Sequence, residues 1–188
     1  PFISYFIFSK KIHWSIWPAV ILCVIGGFLL SELKNISVRY GDALGVLSAF
    51  CWALHIIYIS KIIKFFNFPI TIAMSQCFIA FLFTVIPMIV YEDVSITNIF
   101  KDAYEILYVG IFSSGLAFLL QTYTLQNLTP APAAIVFSLE GVFAALFAWL
   151  ILDQFLNEIK ILGIFLILFS VIFSQIIPIY DKKKYGRN

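Results

Sequence analysis

Six long apolar runs constrain this chain more than any other feature. They cover about residues 14–31, 43–60, 69–91, 105–125, 130–152 and 159–180. A helix needs roughly 18–20 apolar residues to cross the hydrocarbon of a bilayer, and each run reaches that length. A seventh run, residues 1–9, reads as the tail of a further helix. The runs are continuous, whereas the strands of a membrane barrel alternate apolar and polar residues over about ten positions. A helix also satisfies its own backbone polar groups in lipid. The expected fold class is therefore all-α, a polytopic transmembrane helix bundle. With 62% hydrophobic and 12% charged residues in 188, the chain carries about half the charge of a soluble domain. It begins at Pro1, already inside an apolar stretch, and lacks the basic, apolar, small-residue order of a signal peptide. The expectation is a piece of a longer protein.

Local punctuation supports these limits. Thr129-Pro130 suits a helix start, with a hydroxyl cap and a proline whose missing N–H costs nothing there. Asn67-Phe68-Pro69 is read the same way, and Pro87 is expected to kink its helix. Trp14, Trp17 and Tyr180 fit interfacial aromatic positions.

Charge then sets an expected orientation. If the C-terminus is cytoplasmic, Lys10, Lys11, Lys61, Lys64, Lys182, Lys183, Lys184 and Arg187 fall inside. Lys34, Arg39, Lys101 and Lys160 fall outside, so basic residues favour the inside by eight to four. That bias fixes orientation in multi-pass proteins. It predicts a cell-membrane (inner or plasma membrane) protein with a cytoplasmic basic tail. The net charge of +2 then belongs to loops, and no nucleic-acid partner is expected. Contact of the Lys182–Lys184 tail with anionic lipid is a weaker reading.

The sequence also repeats itself faintly. Residues 9–31 align with residues 152–174: each has a polar hairpin, a basic residue, then an apolar helix that ends in serine (Ser31 and Ser174). In the expected topology the two copies run in opposite senses, as in the inverted repeats of secondary transporters. The chain is then half of an inverted-repeat transporter. Residues 1–31 are the last two helices of a truncated first repeat, the first of them partial. An external linker covers 32–40, a complete five-helix repeat 41–180, and a basic cytoplasmic tail 181–188.

Four stretches carry a resemblance to a known family. They are Gly41–Leu54 (GDALGVLSAFCWAL), Gly110–Gln126 (GIFSSGLAFLLQTYTLQ), Thr129–Ala134 (TPAPAA) and Ser138–Ala148 (SLEGVFAALFA). In order and spacing, residues 41 to about 174 resemble the EamA domain of the drug/metabolite transporter superfamily. The resemblance implies ten helices in two inverted repeats, cytoplasmic termini, and transport of small metabolites, often outward. The family often has proline after the glutamate; here Gly141 follows Glu140.

Glu140 is the sole carboxylate in the interior of a long apolar run, since Glu105 stands at the very start of its own. A charge at bilayer depth costs at least about 2.5 kcal/mol and marks a functional candidate. Ser48, Trp52 and His55 share one helical stripe, Ser114, Phe118 and Gln121 another. Gln76 is the main uncharged polar group of its run. The candidate substrate-binding set is Glu140, Gln121, Trp52, His55, Gln76, Ser48 and Ser114, suited to an amine or amino acid held by the acid and a cation–π face. Glu140 is expected to face the bundle interior. The competing reading makes Trp52 a packing residue, the glutamines interhelical glue and Gly110, Ser113, Ser114 and Gly115 close-packing residues.

Cys23, Cys51 and Cys77 lack paired spacing and, with His13 and His55, suggest no metal or cofactor site. The expected function is alternating-access transport, with proton coupling at Glu140. One alternative is a non-transporting half-transporter that needs a homodimer partner, a missing N-terminal repeat or another chain. A second is an intramembrane enzyme, though no nucleophile or acid–base motif supports it.

Overall fold

A computed structural model of the chain describes residues 1–6, 8–9, 11–31, 40–93 and 95–185, with side chains for all of these except 98, 184 and 185. Lys10, Lys34, Arg39, Arg187 and most of the expected linker 32–40 lie outside the described residues. All the regular structure among the described residues is helical. The elements are α1 (Phe2–Phe6), α2 (Ile16–Leu30), α3 (Tyr40–Phe66), α4 (Pro69–Tyr91), α5 (Ile96–Lys101) and α6 (Ala103–Tyr108). A π-helical segment (Val109–Leu116) follows, then α7 (Ala117–Asn127), α8 (Pro130–Phe137), α9 (Leu139–Leu152) and α10 (Glu158–Tyr185).

Among the described residues, five spans are long and apolar enough to cross a membrane: 40–66, 69–91, 103–127, 130–152 and 158–183. The expected run 14–31 yields only the 15-residue α2. At 1.5 Å per residue this helix is about 22 Å long, short of the roughly 30 Å hydrocarbon core. Its first residues are spent elsewhere: Trp14 and Ser15 form a turn bound to His13 and Asp181.

The residues divide into two compact units, 1–57 with 129–188, and 58–128. In the first, α2 lies along α10. The approach is set by glycine. A Cβ on Gly26 would sit 2.8 Å from the Gly163 carbonyl oxygen, and one on Gly163 2.7 Å from the Gly26 carbonyl oxygen. Lipid supplies no hydrophobic drive between helices, so small residues that let backbones touch provide dispersion contact instead. Ile16 and Ala19 of α2 pack with Ala131 and Ile135 of α8. Val142 of α9 packs with Ile164 and Ile167 of α10. Asn157 opens α10 by accepting the Lys160 N–H at 2.8 Å, the ordinary side-chain cap of a helix start.

Thr129 stands at the cap position of α8 with Pro130 in the first turn, but its side chain makes no capping hydrogen bond. The backbone takes over: the Ala133 N–H donates to the Thr129 carbonyl at 3.2 Å. Two prolines, Pro130 and Pro132, have no N–H to cap, so the hydroxyl has little to do there.

In the second unit, α3 ends at Asn67, whose φ of 54° is left-handed and whose N–H bonds the Ile63 carbonyl at 2.9 Å. Asparagine tolerates that conformation at a helix C-terminus. Phe68, not Asn67, is therefore the cap of α4, with Pro69 next. The Asn67 side chain accepts from Gln126 at the end of α7 (2.9 Å). α4 carries Pro87 inside it and stays helical on both sides. α4 packs on α7, where Ala73, Thr122 and Leu125 are buried.

Candidate functional site

Two membrane-length helices are irregular, and both irregularities fall on candidate residues. The 130–152 span is distorted at Ser138, between α8 and α9, where the backbone stays helical (φ −64°, ψ −14°) but the regular hydrogen-bond pattern lapses. The Ser138 hydroxyl donates to the Ile135 carbonyl and accepts from the Cys23 thiol of α2 at 3.1 Å. Gly141 N–H then bonds the Ser138 carbonyl at 3.2 Å, a tight three-residue closure. Glu140 stands in the first turn of α9. The fixed positive end of a helix dipole favours negative charge at that position.

Glu140 is exposed on this chain, and among the described residues it has no hydrogen-bond or ion-pair partner. The expectation of an acid facing the interior of the described bundle is not met. The reason is helical phase: Val142, two residues on, is buried against α10, and two residues turn the helix by about 200°. Burying Val142 sends Glu140 to the opposite face.

The second irregularity is the π-helical segment 109–116, which holds Gly110, Ser113, Ser114 and Gly115. At its end the Ala117 N–H reaches both the Phe112 and Ser114 carbonyls. Wide turns of this kind recur at functional positions in helices. Ser114, Phe118 and Gln121 are all half-buried.

The remaining candidates fall into two groups. Trp52 and His55 stack at 5.2 Å between ring centroids with 21° between planes; Trp52 is exposed and His55 half-buried, while Ser48 is exposed. Gln76 donates from Nε2 to the Thr122 hydroxyl at 3.2 Å and to the Ile72 carbonyl at 3.3 Å. Gln76 Oε1 and Gln121 Nε2 are buried atoms without a partner among the described residues, one acceptor and one donor with capacity left. The Thr122 hydroxyl in turn donates to the Phe118 carbonyl at 2.7 Å.

Sequence reading missed three participants. Thr122, fully buried, was one polar residue in an apolar run. Cys23 lacks paired spacing in the sequence, yet its thiol donates to Ser138. His13 was dismissed, yet it joins Ser15 Oγ at 2.9 Å and Asp181 Oδ2 at 3.2 Å. The Ser15 N–H also donates to Nδ1 at 3.3 Å, so Nδ1 accepts and Nε2 carries the proton toward Asp181. Trp14 Nε1 donates to the same carboxylate at 3.2 Å. The order Ser15–His13–Asp181 has the connectivity of a hydrolytic triad. Ser15, however, is 0% exposed, with no surface for a substrate carbonyl to approach. The group is a brace that ties the start of α2 to the end of α10.

Residues 39–175 match the profile of the EamA-like transporter family. The chain is also similar to an uncharacterized transporter of Archaeoglobus fulgidus, 28% identical over 172 residues. That alignment covers 92% of this chain and 54% of the relative, so the chain spans about half the relative's length. No solved structure matches.

Proposed function

The chain belongs to the EamA-like transporter family, and from that premise we propose that it forms part of a carrier for small metabolites bearing an amine, working by alternating access. The distortion of the 130–152 helix at Ser138, with the carboxylate of Glu140 beside it, carries the reading. Irregular backbone at membrane depth is tolerated where it is enclosed by protein or lines a watery cavity, and discontinuous helices form the substrate sites of many carriers. The start of α9 already holds its own carboxylate, so an anionic substrate meets like charge there and a cation meets a partner. The exposed, stacked Trp52 adds an aromatic face of the kind that receives ammonium groups. Ser48, on the same helix as Trp52, supplies a further donor and acceptor. Proton exchange at Glu140 couples transport in this reading.

The exposed face of Glu140 and the half-length match support a working assembly larger than residues 1–188: two inverted repeats, with the second at 41–180 and the first supplied by a longer protein or a second copy. The basic bias supports a cytoplasmic C-terminus. Single cysteines near Lys61 should resist an impermeant thiol reagent applied from outside, and ones near Asp93 should react; the reverse pattern overturns the orientation.

The substrate reading is tested in vesicles that hold the complete assembly. Glu140→Gln should lower uptake of a cationic amine by about tenfold or more, the scale of one lost charge-assisted contact, and should flatten its pH dependence. Glu140→Asp should retain part of both. Unchanged uptake and pH dependence in the Gln variant would remove Glu140 from the mechanism.

A further inference from the structure

Two cavities in the first unit share a wall. The first, about 230 Å³, is lined by Lys11, Thr129 and Ser4 on its polar side, and by Ile12, Ile16 and Pro178 among its apolar residues. The second, about 240 Å³, is lined by Phe2, Ile56, Ile57 and Ala134 and meets the first at Ser4, Pro130 and Ala131.

The polar groups of the first cavity have capacity to spare. Lys11 makes no ion pair among the described residues. The Thr129 hydroxyl is released from capping. Ser4 is buried at 5% exposure and its hydroxyl has no partner among the described residues. Its side chain lies in the cavity wall. His13 also lines the space, but both its nitrogens are committed to Ser15 and Asp181. That pairing places a cationic or dipolar partner on Asp181 and leaves the Lys11 charge uncompensated. One ammonium and two hydroxyls lining one cavity form a donor set for an oxyanion.

We propose that Lys11, Ser4 and Thr129 bind the phosphate of an anionic phospholipid, whose glycerol and first acyl carbons lie against Ile12, Ile16 and Pro178 and extend into the apolar neighbouring cavity. The shared chemistry is a phosphate oxyanion. The adjoining apolar space selects the lipid over free phosphate, because free phosphate gains nothing from it.

The test uses the purified full chain in a neutral detergent, with retained phosphatidylglycerol counted by native mass spectrometry. The wild type should retain one molecule in preference to phosphatidylcholine. Lys11→Gln should weaken retention by about tenfold or more, the scale of one charge-assisted hydrogen bond. Lys11→Arg should retain it, which excludes misfolding as the cause, and Lys183→Gln should leave it unchanged. Ala134→Phe, which fills the apolar cavity, should weaken retention of the lipid. Equal losses in Lys11→Gln and Lys183→Gln would reduce the effect to general surface charge and overturn the site. Undiminished retention in Lys11→Gln would do the same. Displacement of the lipid by inorganic phosphate at matching concentration would assign the site to the free anion and overturn the lipid.

Discussion

The α2–α10 seam and the α4–α7 seam solve the same problem with opposite chemistry. Both join apolar helices in a setting where apolar burial alone gives no preference for a partner helix over lipid. The first brings backbones together: Gly26 and Gly163 each stand where a Cβ would meet the other's carbonyl oxygen. The second keeps side chains between the helices and bonds Gln76 to Thr122. A glycine seam has one geometry, because the contact is backbone on backbone. An amide seam has several, because a glutamine can exchange partners, and here Gln76 Oε1 and Gln121 Nε2 hold unused capacity. The glycine seam is thus suited to a fixed element and the amide seam to one that rearranges.

The sharpest way to break this contrast is to add volume at the glycines. Gly163→Leu and Gly26→Leu should each destabilise the chain by about 3 kcal/mol or more, beyond the usual range for overpacking, because the obstacle is backbone. Gly27→Ala is the control: nothing lies within 4 Å of a Cβ there, and it should be neutral or gain up to about 1 kcal/mol from helix propensity. Thermal unfolding in detergent distinguishes them. Similar losses at Gly26 and Gly27 would show that propensity, not contact, sets the cost.

A smaller effect should attend the amide seam. Thr122→Val keeps the shape and removes the hydroxyl, and should cost about 0.6 kcal/mol, with about 1.7 as the upper end for hydrogen bonds between membrane helices. Adding Gln76→Leu should recover most of that loss, since replacing both partners removes the stranded amide. A double-mutant cycle on unfolding midpoints measures the coupling. Additive losses would mean that Gln76 and Thr122 do not interact.

How much of this was legible beforehand follows from what each feature depends on. The helical class was legible because run length and hydropathy are properties of local sequence. α4 begins and ends at Pro69 and Tyr91, as the run did, since Pro69 and the end of the apolar stretch are local signals. The shortness of α2 was not legible, because it depends on Asp181, which lies 167 residues from Trp14. The π segment was not legible either: Gly110, Ser113, Ser114 and Gly115 suggested close packing, and nothing in their spacing distinguishes packing from a wide turn. The pattern of polar residues on common stripes is a sound guide to neighbours on one helix, as Trp52 and His55 show. It failed to give the direction of Glu140, because direction is decided by which face buries Val142. The same blindness hid Cys23, whose role exists only because α2 meets the break in the 130–152 span.

That break supports the smallest and most discriminating prediction. Ser138 interrupts the span while holding two hydrogen bonds, to Ile135 and from Cys23. A thiol is a weak donor, so Cys23→Ala should change stability by only a few tenths of a kcal/mol, within the scatter of ordinary substitutions. Ser138→Ala removes both bonds and replaces serine with the best helix former, worth about 0.5 kcal/mol in a helix interior. The gain and the loss nearly cancel, so unfolding should scarcely move. Transport should move. If the interruption positions Glu140, a residue that favours continuous helix shifts the start of α9 and turns the carboxylate. The complete assembly carrying Ser138→Ala should then lose transport several-fold while its midpoint stays put. Ser138→Thr, which keeps the hydroxyl, should preserve it. A fall in stability with transport intact would make the break a packing detail and return Glu140 to the status of an exposed acid with no stated task.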